Sequence, residues 1–225
     1  MNTAIIVAAG GGNRFNSKTP KQFAEILGKP IIIHTLEKFE ACEAVSQVVL
    51  VLPLNEISAF ESLIEKFELT KIKRVVAGGA SRAESVLNGL NAADPETDIV
   101  AVHDGVRPLV SIDEITATIE KARETGAACL VAVITDTIKQ IDGGMITGTL
   151  DRTKLRRAMT PQAFRYSILR EALDQGILDY DITDECMLVE RLGHQIAYVD
   201  GSSRNIKITL PEDRVLAEAL LRESQ

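Results

Sequence analysis

Three consecutive glycines followed by basic residues are the first group in this sequence whose types and spacing could do chemistry. The glycines occupy positions 10–12, Arg14 follows two residues later, and Lys21 lies in the segment Pro20-Lys21-Gln22. Because glycine has no Cβ, the N–H groups of such a loop can approach a phosphate chain closely. The two cations would lie beside the same phosphates, so the segment indicates a nucleoside triphosphate site.

The glycine loop taken alone leaves other interpretations open, since a glycine turn after a first strand can also be a plain connection. The sequence contains no G-x-x-x-x-G-K-[ST] motif. Phe15 stands where the dinucleotide fingerprint G-x-G-x-x-G needs its last glycine. A basic residue directly after the glycines suits a triphosphate in transfer chemistry better than a passively held dinucleotide.

Two other polar or glycine-rich segments also come directly after predicted strands. Residues 78–82 follow the predicted strand at 73–77, and residues 104–107 follow the predicted strand at 98–103. In open parallel sheets, ligands bind beyond the carboxyl ends of the strands. We therefore expect these two loops and the glycine loop to converge on one crevice.

The elements that must position these loops alternate between strand and helix. Segments with the length and composition of strands occur at 4–8, 47–52, 73–77, 98–103 and 127–134. Helical patterns begin after Pro30, near Glu56, at Ser81 and at Ser111. This alternation predicts an α/β, Rossmann-like, doubly wound and mainly parallel sheet with helices on both faces. We expect residues 1–225 to form one domain.

The alternation changes after residue 134. Residues 136–141 and 145–150 flank Asp142-Gly143-Gly144, which predicts a β-hairpin arm over 136–157 that projects from the sheet. A two-stranded hairpin is marginally stable alone in water. We therefore expect a second subunit to support it, which makes the chain a homodimer. Further along, we expect a helix that includes Phe164, a helix from Thr183, strands at 195–199 and 205–208, and a final helix after Pro211.

Composition restricts the partners and the location. The 225 residues carry a formal net charge of −7, which argues against general binding to nucleic acid or to an anionic membrane. No apolar run is long enough to span a membrane and no cleavable leader is evident, so we expect a cytoplasmic protein. Cys42, Cys129 and Cys186 lie far apart, and neither a zinc site nor a disulfide framework is indicated.

Seven short motifs, in order along nearly the whole chain, narrow the interpretation. They occupy residues 8–14, 20–22, 78–86, 103–108, 136–139, 160–162 and 205–207. Together they resemble the 2-C-methyl-D-erythritol 4-phosphate cytidylyltransferases, a nucleotidyltransferase family of the non-mevalonate isoprenoid pathway. The first motif indicates only a nucleotidyltransferase, whereas His-Asp-x-x-Arg-Pro, Thr-Pro-Gln and Asn-Ile-Lys are more specific.

The resemblance implies a reaction and a set of site residues. CTP and the sugar-alcohol phosphate would give 4-diphosphocytidyl-2-C-methyl-D-erythritol and pyrophosphate, by in-line attack on the α-phosphorus, with Mg²⁺ or another divalent cation. The metal would be held mainly by the CTP phosphates. Arg14 and Lys21 would stabilise the pentavalent phosphorus and the leaving group, whereas Arg152 and Lys207 would hold the attacking phosphate. The implied CTP-binding residues are Ala8, Ala9, Gly10, Gly12, Gly79, Ala80 and Ser85. The implied acceptor-binding residues are Asp104, Arg107, Thr137, Thr160 and Thr183. In the family's arm-exchanged dimer, Arg152 would serve the site of the neighbouring subunit.

Some positions depart from the family pattern. Gly105-Val106 stands where Ala-Ala or Gly-Ala is common, Ala80 where an acidic residue is frequent, and Phe15 where Met is frequent. The bulk of Val106 bears on contacts to the ribose or the sugar phosphate. None of these changes removes a cation from the proposed mechanism. Arg82 and Glu84 are equally compatible with solvated residues at a helix start.

Three alternative functions are weighed against this one. A ribitol 5-phosphate cytidylyltransferase shares the fold, the CTP site and most motifs, but Arg152 and the Thr-Pro-Gln-Ala-Phe segment favour methylerythritol phosphate. A non-catalytic nucleotide-binding module predicts loss of Arg14 or Lys21, and both are present. A dinucleotide-dependent oxidoreductase is disfavoured by the missing fingerprint glycine.

Overall fold

The computed structural model describes residues 1–10, 20–175 and 182–223. The strands are β1 (Asn2–Val7), β2 (Glu25–Ile26), β3 (Lys29–Pro30), β4 (Gln47–Leu52), β5 (Ile72–Ala77), β6 (Ile99–Asp104), β7 (Ala127–Val133), β8 (Lys139–Asp142), β9 (Met145–Thr149), β10 (Arg156–Arg165) and β11 (Ala197–Asp200). The α-helices are α1 (Ile31–Ala41), α2 (Ile57–Lys66), α3 (Arg82–Asn91), α4 (Ile112–Thr125), α5 (Tyr166–Gln175), α6 (Glu185–Arg191) and α7 (Pro211–Arg222).

Seven strands form the central sheet, in the order β11-β7-β10-β6-β1-β4-β5. Strand β10 runs antiparallel to both of its neighbours, and every other neighbouring pair in this sheet is parallel. The predicted class, an α/β fold around a mainly parallel sheet, is therefore confirmed. The carboxyl ends of β1, β5 and β6 all point to one edge of this sheet, because these strands are parallel.

Strands β4 and β7 consist almost entirely of apolar residues because both faces of the sheet are covered there. Side chains alternate between faces along each strand, so Ala4 and Ile6 pack with α1, α2 and α4, whereas Ile5 packs with α3, α5 and α6. Strand β4 divides in the same way, since Leu50 joins the first cluster and Val51 the second. The helices on both faces of the predicted fold are therefore present.

The predicted helix that includes Phe164 is wrong, because this residue lies in strand β10. We expected Phe164 in a helix, but it is a fully buried strand residue, and α5 begins at Tyr166. Proline donates no hydrogen bond to a sheet ladder, so Thr-Pro-Gln is typical of a loop. Here the pairing of β10 with β7 shifts register between Ala158 and Gln162, which accommodates Pro161 inside the strand.

Two later predictions also differ from the structure. Residues 205–208 are irregular rather than a strand, and the apolar side chain of Ile208 is buried against Val106 and Ile31 instead of in a sheet. Helix α6 begins after Asp184, not at Thr183, because the Asp184 carboxylate accepts the backbone N–H of Met187 at 3.0 Å.

The predicted hairpin is present as a separate two-stranded sheet of β8 and β9. Gly143 and Gly144 in its turn have φ values of +52° and +81°, which glycine adopts without strain. Three large apolar side chains of the hairpin, Ile141, Met145 and Ile146, are 66–72% exposed. An exposed apolar surface of this kind is typical of a protein–protein interface. It is consistent with the predicted dimer, which stays a prediction.

No helix within the described ranges combines the length and the apolar composition that crossing a membrane requires.

Candidate active site

A cavity of about 300 Å³ opens beyond the carboxyl ends of β1, β5 and β6. Two lysines from distant parts of the chain, Lys21 and Lys207, line it together with Asp104 at the end of β6. The described CTP-binding candidates all line the same cavity, namely Ala8, Ala9, Gly10, Gly79, Ala80 and Ser85. The expectation that three strand-end loops share one crevice is therefore correct for the residues that the structure describes.

A second cavity of about 220 Å³ adjoins the first. Arg82, Asp104 and Lys207 line both cavities and form the boundary between them. The second cavity also contains three of the predicted acceptor-binding residues, which are Arg107, Thr160 and Thr183. The predicted nucleotide residues and the predicted acceptor residues thus sort into two connected spaces.

Two predicted site residues are not described by the structure, and two others lie away from both cavities. Gly12 and Arg14 lie outside the described residues. Thr137 and Arg152 are exposed on the arm, and neither lines the two cavities. The guanidinium of Arg152 donates a hydrogen bond to the carbonyl of Thr135, the residue that precedes the arm. A single chain therefore does not bring Arg152 to its own cavity.

The loops approach each other closely because glycines stand where they meet. A Cβ on Gly78 would lie 2.2 Å from the Cβ of Ala9, and one on Gly105 would lie 2.9 Å from the Cβ of Ala8. The Ser85 hydroxyl then accepts the backbone N–H of Gly79 at 3.1 Å. This packing leaves the cavity floor made of backbone and small side chains, as a bound nucleotide would require.

Val106, one of the departures from the family pattern, is 6% exposed and packs against Ile26, Ile31 and Ile208. Its carbonyl accepts the backbone N–H of Ile208 at 2.9 Å. The added bulk therefore anchors the segment that carries Lys207, although part of the side chain also lines the first cavity.

The carboxylate of Asp104 is the centre of the charged groups. Its Oδ2 lies 3.1 Å from Nε of Arg107 and 3.0 Å from Nζ of Lys207. Its Oδ1 lies 3.4 Å from Nη2 of Arg82. Burial opposes ionisation of this group, but the charges of Arg82, Lys207 and Arg107 outweigh it and hold the pKa of Asp104 well below its usual range. Asp104 is therefore ionised at any physiological pH.

Arg82 was not among the predicted site residues, and it connects two carboxylates. Its Nη1 donates to the fully buried Glu185 at the start of α6, while Nη2 faces Asp104. Burial opposes the charge of Arg82, but Glu185 and Asp104 together raise its pKa above the ordinary value. A signal was available, because a cation in the first turn of a helix opposes the helix dipole and so requires a nearby anion.

Two buried amides belong to the sequence motifs but were not predicted as site residues, and they hold the walls of the cavities in place. Gln22 is 1% exposed, lines the first cavity and donates from Nε2 to the carbonyl of Ala8 at 2.8 Å. Asn205, which is fully buried, donates from Nδ2 to the carbonyl of Thr160 at 3.0 Å. Arg107 in turn donates from Nη1 to the carbonyl of Asn205 at 2.9 Å. These bonds join the loop after β6 to the segment that carries Lys207.

His103 is a buried residue that contacts Thr160, one of the residues lining the second cavity. It is fully buried, and its Nδ1 lies 3.0 Å from the Thr160 hydroxyl, which also accepts the backbone N–H of Asp104 at 3.1 Å. The hydroxyl hydrogen is therefore directed at Nδ1, and Nε2 faces the carbonyl of Arg107 at 3.4 Å. Burial lowers the pKa of His103 to about 3, although the charge of Asp104 opposes this shift. The ring is neutral and holds Thr160 in one orientation.

The depressed pKa of His103 predicts a pH-dependent stability. Between pH 7 and pH 5 the unfolded chain takes up a proton on this residue and the folded chain does not, so folding becomes less favourable as the pH falls. The loss from His103 alone should be about 2 kcal/mol over these two pH units. Chemical denaturation at pH 7 and pH 5 measures the free energy of unfolding at each pH. Between these two pH values, the free energy of unfolding of His103→Asn should fall by about 2 kcal/mol less than that of wild type. Equal losses in the two proteins would contradict the assignment.

The described residues offer no obvious cage for a metal. No group of three or more His, Cys, Asp or Glu side chains is arranged among them to hold an ion. Both oxygens of Asp104 already face cations. A divalent cation at this site would therefore have to draw most of its oxygen ligands from a phosphate chain.

Comparisons with a family profile, with related sequences and with solved structures all find the same enzyme family. The sequence profile described as IspD, 2-C-methyl-D-erythritol 4-phosphate cytidylyltransferase, matches residues 2–223. The protein of that name from Geobacter metallireducens is 43% identical over 225 residues, which cover 98% of this chain and 97% of that protein. Its counterpart in Geotalea uraniireducens is 44% identical over 227 residues, covering 98% and 96% of the two chains. The solved structure of the 4-diphosphocytidyl-2C-methyl-D-erythritol synthase from Anaerococcus prevotii matches with a TM-score of 0.86 at 29% identity, covering 98% of this chain and 96% of that one.

Proposed function

The chain belongs to the 2-C-methyl-D-erythritol 4-phosphate cytidylyltransferase family, and we propose that its two connected cavities hold CTP and the acceptor phosphate side by side. It is a nucleotidyltransferase that joins CTP and 2-C-methyl-D-erythritol 4-phosphate to give 4-diphosphocytidyl-2-C-methyl-D-erythritol and pyrophosphate. The observation that supports the two-cavity arrangement is the shared boundary of Arg82, Asp104 and Lys207.

The larger cavity suits the nucleotide. Its floor is made of the small residues after β1 and β5, and Lys21 stands at its wall. The Nζ of Lys21 donates to the carbonyl of Ile208 at 3.1 Å, which ties this lysine to the segment that carries Lys207. We assign Lys21, together with Arg14, to the charge that develops on the triphosphate as pyrophosphate leaves.

The smaller cavity suits the acceptor. An acceptor phosphate near Lys207 would lie at the boundary with the nucleotide cavity, from which one of its oxygens could attack the α-phosphorus of CTP in line. The bond to the attacking oxygen forms as the bond to pyrophosphate breaks, and no covalent enzyme intermediate is needed. Lys207 would exchange its contact with Asp104 for one with the acceptor phosphate, while Arg107 stays on Asp104.

Magnesium belongs to this proposal as well. A bound divalent cation would neutralise part of the triphosphate charge, and the phosphates rather than a protein carboxylate cage would hold it. The protein's own task is then to orient the two substrates and to supply the remaining positive charge through lysine and arginine side chains.

The arm belongs to the proposal as a dimerisation element. The exposed apolar side chains Ile141, Met145 and Ile146 would be covered by a second copy of the chain. Arg152 does not line either cavity of its own chain, and we assign it to the acceptor cavity of the neighbouring subunit. A cytoplasmic location remains a prediction.

A panel of acceptors tests the substrate assignment. Purified protein is mixed with CTP, Mg²⁺ and either 2-C-methyl-D-erythritol 4-phosphate or ribitol 5-phosphate, and pyrophosphate release is followed. We expect the methylerythritol phosphate to give the larger kcat/KM. Faster turnover on ribitol 5-phosphate would replace the acceptor, and CTP binding without pyrophosphate release on any acceptor would favour a non-catalytic module.

A further inference from the structure

A buried carboxylate lies directly behind the boundary between the two cavities. Glu185 is the first residue of α6 and is 0% exposed. Its Oε1 accepts from Nη1 of Arg82, and its Oε2 has no hydrogen-bond partner within the part of the chain that is described. It does not line either cavity, so it has no direct access to a substrate there.

Arg82 transmits the position of Glu185 to the boundary. Its two terminal nitrogens face different carboxylates, Nη1 towards Glu185 and Nη2 towards Asp104 at 3.4 Å. The guanidinium is planar and rigid, so fixing one of its nitrogens fixes the direction of the other. Arg82 stands at the start of α3 on the nucleotide side, whereas Glu185 starts α6 on the acceptor side. The chain of contacts therefore connects the two walls.

Stability alone is a weak reason for this arrangement. Removing two charges from water costs several kcal/mol for each ion, and apolar side chains of similar volume often stabilise a fold as well or better. A fully buried carboxylate with one oxygen that no described residue pairs is therefore more costly than packing requires. Because Glu185 pairs with Arg82, which lines both cavities, a role in substrate binding explains its retention better than a role in stability.

We propose that Glu185 is a positioning residue for the transfer reaction, which acts through Arg82 on Asp104. While Glu185 occupies Nη1 of Arg82, that guanidinium stays on Asp104 and does not move to grip the incoming phosphate itself. Lys207 is then the cation released from Asp104 to the acceptor, so the acceptor phosphate is held in one place at the boundary. This inference rests on the proposed function, because it assigns the acceptor to the smaller cavity.

A double-mutant cycle with Glu185→Gln and Asp104→Asn tests the connection. In the otherwise wild-type enzyme, Glu185→Gln should raise the KM for the acceptor phosphate about tenfold and leave the KM for CTP within about twofold. In the Asp104→Asn background the same change should raise the acceptor KM by less than about threefold, because the connection is already broken. The matched control is Glu37→Gln on α1, which weakens the 2.6 Å pair with Lys29 of β3 and should leave both KM values unchanged.

A purely structural role for Glu185 would give a different result. It would lower the thermal midpoint and change the two KM values together, by the same factor in both backgrounds, and that outcome would overturn the inference. If Glu185→Gln does not fold, the paired variant Arg82→Met/Glu185→Met decides, since an apolar pair can replace a buried ion pair without loss of stability. It should keep a thermal midpoint near that of wild type and still raise the acceptor KM about tenfold. A wild-type acceptor KM in the folded paired variant would also overturn the inference. Failure of the wild-type enzyme to release pyrophosphate would instead count against the proposed function itself.

Discussion

Replacing Lys21 with alanine should lower kcat for cytidylyl transfer more than about a hundredfold, because a preorganised donor to developing phosphate charge is lost. The side chain is half-buried at the wall of the nucleotide cavity, and its contact with the carbonyl of Ile208 keeps it on that side. Since the charge on the leaving pyrophosphate grows in the transition state, the loss should fall on kcat more than on the KM for CTP. Steady-state pyrophosphate release with saturating acceptor measures both constants.

Two further variants separate charge at this place from charge in general. Lys73→Ala removes an exposed lysine at the amino-terminal part of β5, at the opposite end of the strand from the cavity, and should leave kcat unchanged. Lys21→Arg keeps the charge but replaces a compact ammonium with a planar guanidinium, so it should recover only part of the rate. A kcat for Lys21→Ala within tenfold of wild type would remove Lys21 from the transition state. The family resemblance pairs Arg14 with Lys21, so we expect Arg14→Ala to lower kcat by a similar factor.

The first half of the fold could be predicted because local signals agree with one another there. Apolar strand runs, helix caps such as Ser111 and glycine stops such as Gly126 all point to the same α/β alternation. The positions of the strand-end loops followed from this alternation, since parallel strands deliver their carboxyl ends to one edge. The alternation therefore predicted one crevice for the three loops, whereas the CTP-binding residues within these loops came from the family resemblance.

The second half could not be read in the same way, because tertiary contacts override local signals there. We expected Phe164 in a helix, but it lies in β10, where a bulge opposite β7 allows Pro161 inside the strand. The apolar spacing of Ile206 and Ile208 resembles a strand, whereas these residues pack around Val106 while Asn205 bonds to Thr160. Hydrogen bonds between residues 45 or more positions apart leave no periodic trace in the sequence.

The ion pairs show the same limit at the level of single residues. Arg82 and Glu185 are 103 positions apart, and the sequence around each residue does not indicate that the other is its partner. Only the unfavourable placement of a cation at the start of α3 indicated that an anion was needed. The pattern could therefore suggest that Arg82 has a partner, but not that this partner would be a buried carboxylate behind the acceptor cavity.

Arg152→Ala should raise the KM for the acceptor phosphate and lower activity at moderate acceptor concentration about thirtyfold, because a charged contact to phosphate is lost. The arm carries Arg152 away from the cavities of its own chain, so the loss should be felt in the neighbouring subunit. Sedimentation at micromolar concentration should first show a dimer, and a clean monomer would remove the basis for this expectation. An unchanged acceptor KM would separate Arg152 from the acceptor site altogether.

Mixing two variants of low activity decides whether Arg152 acts across the dimer. At moderate acceptor concentration, Lys21→Ala and Arg152→Ala dimers should each retain only a few per cent of wild-type activity or less, about a thirtieth for Arg152→Ala. Their subunits are exchanged by mixing in equal amounts or by co-expression with different tags. In a mixed dimer, the Arg152→Ala protomer keeps its own Lys21 and receives Arg152 from its partner, so one of the two sites is complete. Random exchange gives mixed dimers in half of the population, so activity should recover to about a quarter of the wild-type value. Recovery depends on the arm crossing between subunits, because an Arg152 that served its own chain would leave every site in the mixture with one missing cation. Lack of recovery in dimers that have demonstrably exchanged would therefore place Arg152 in its own subunit's site.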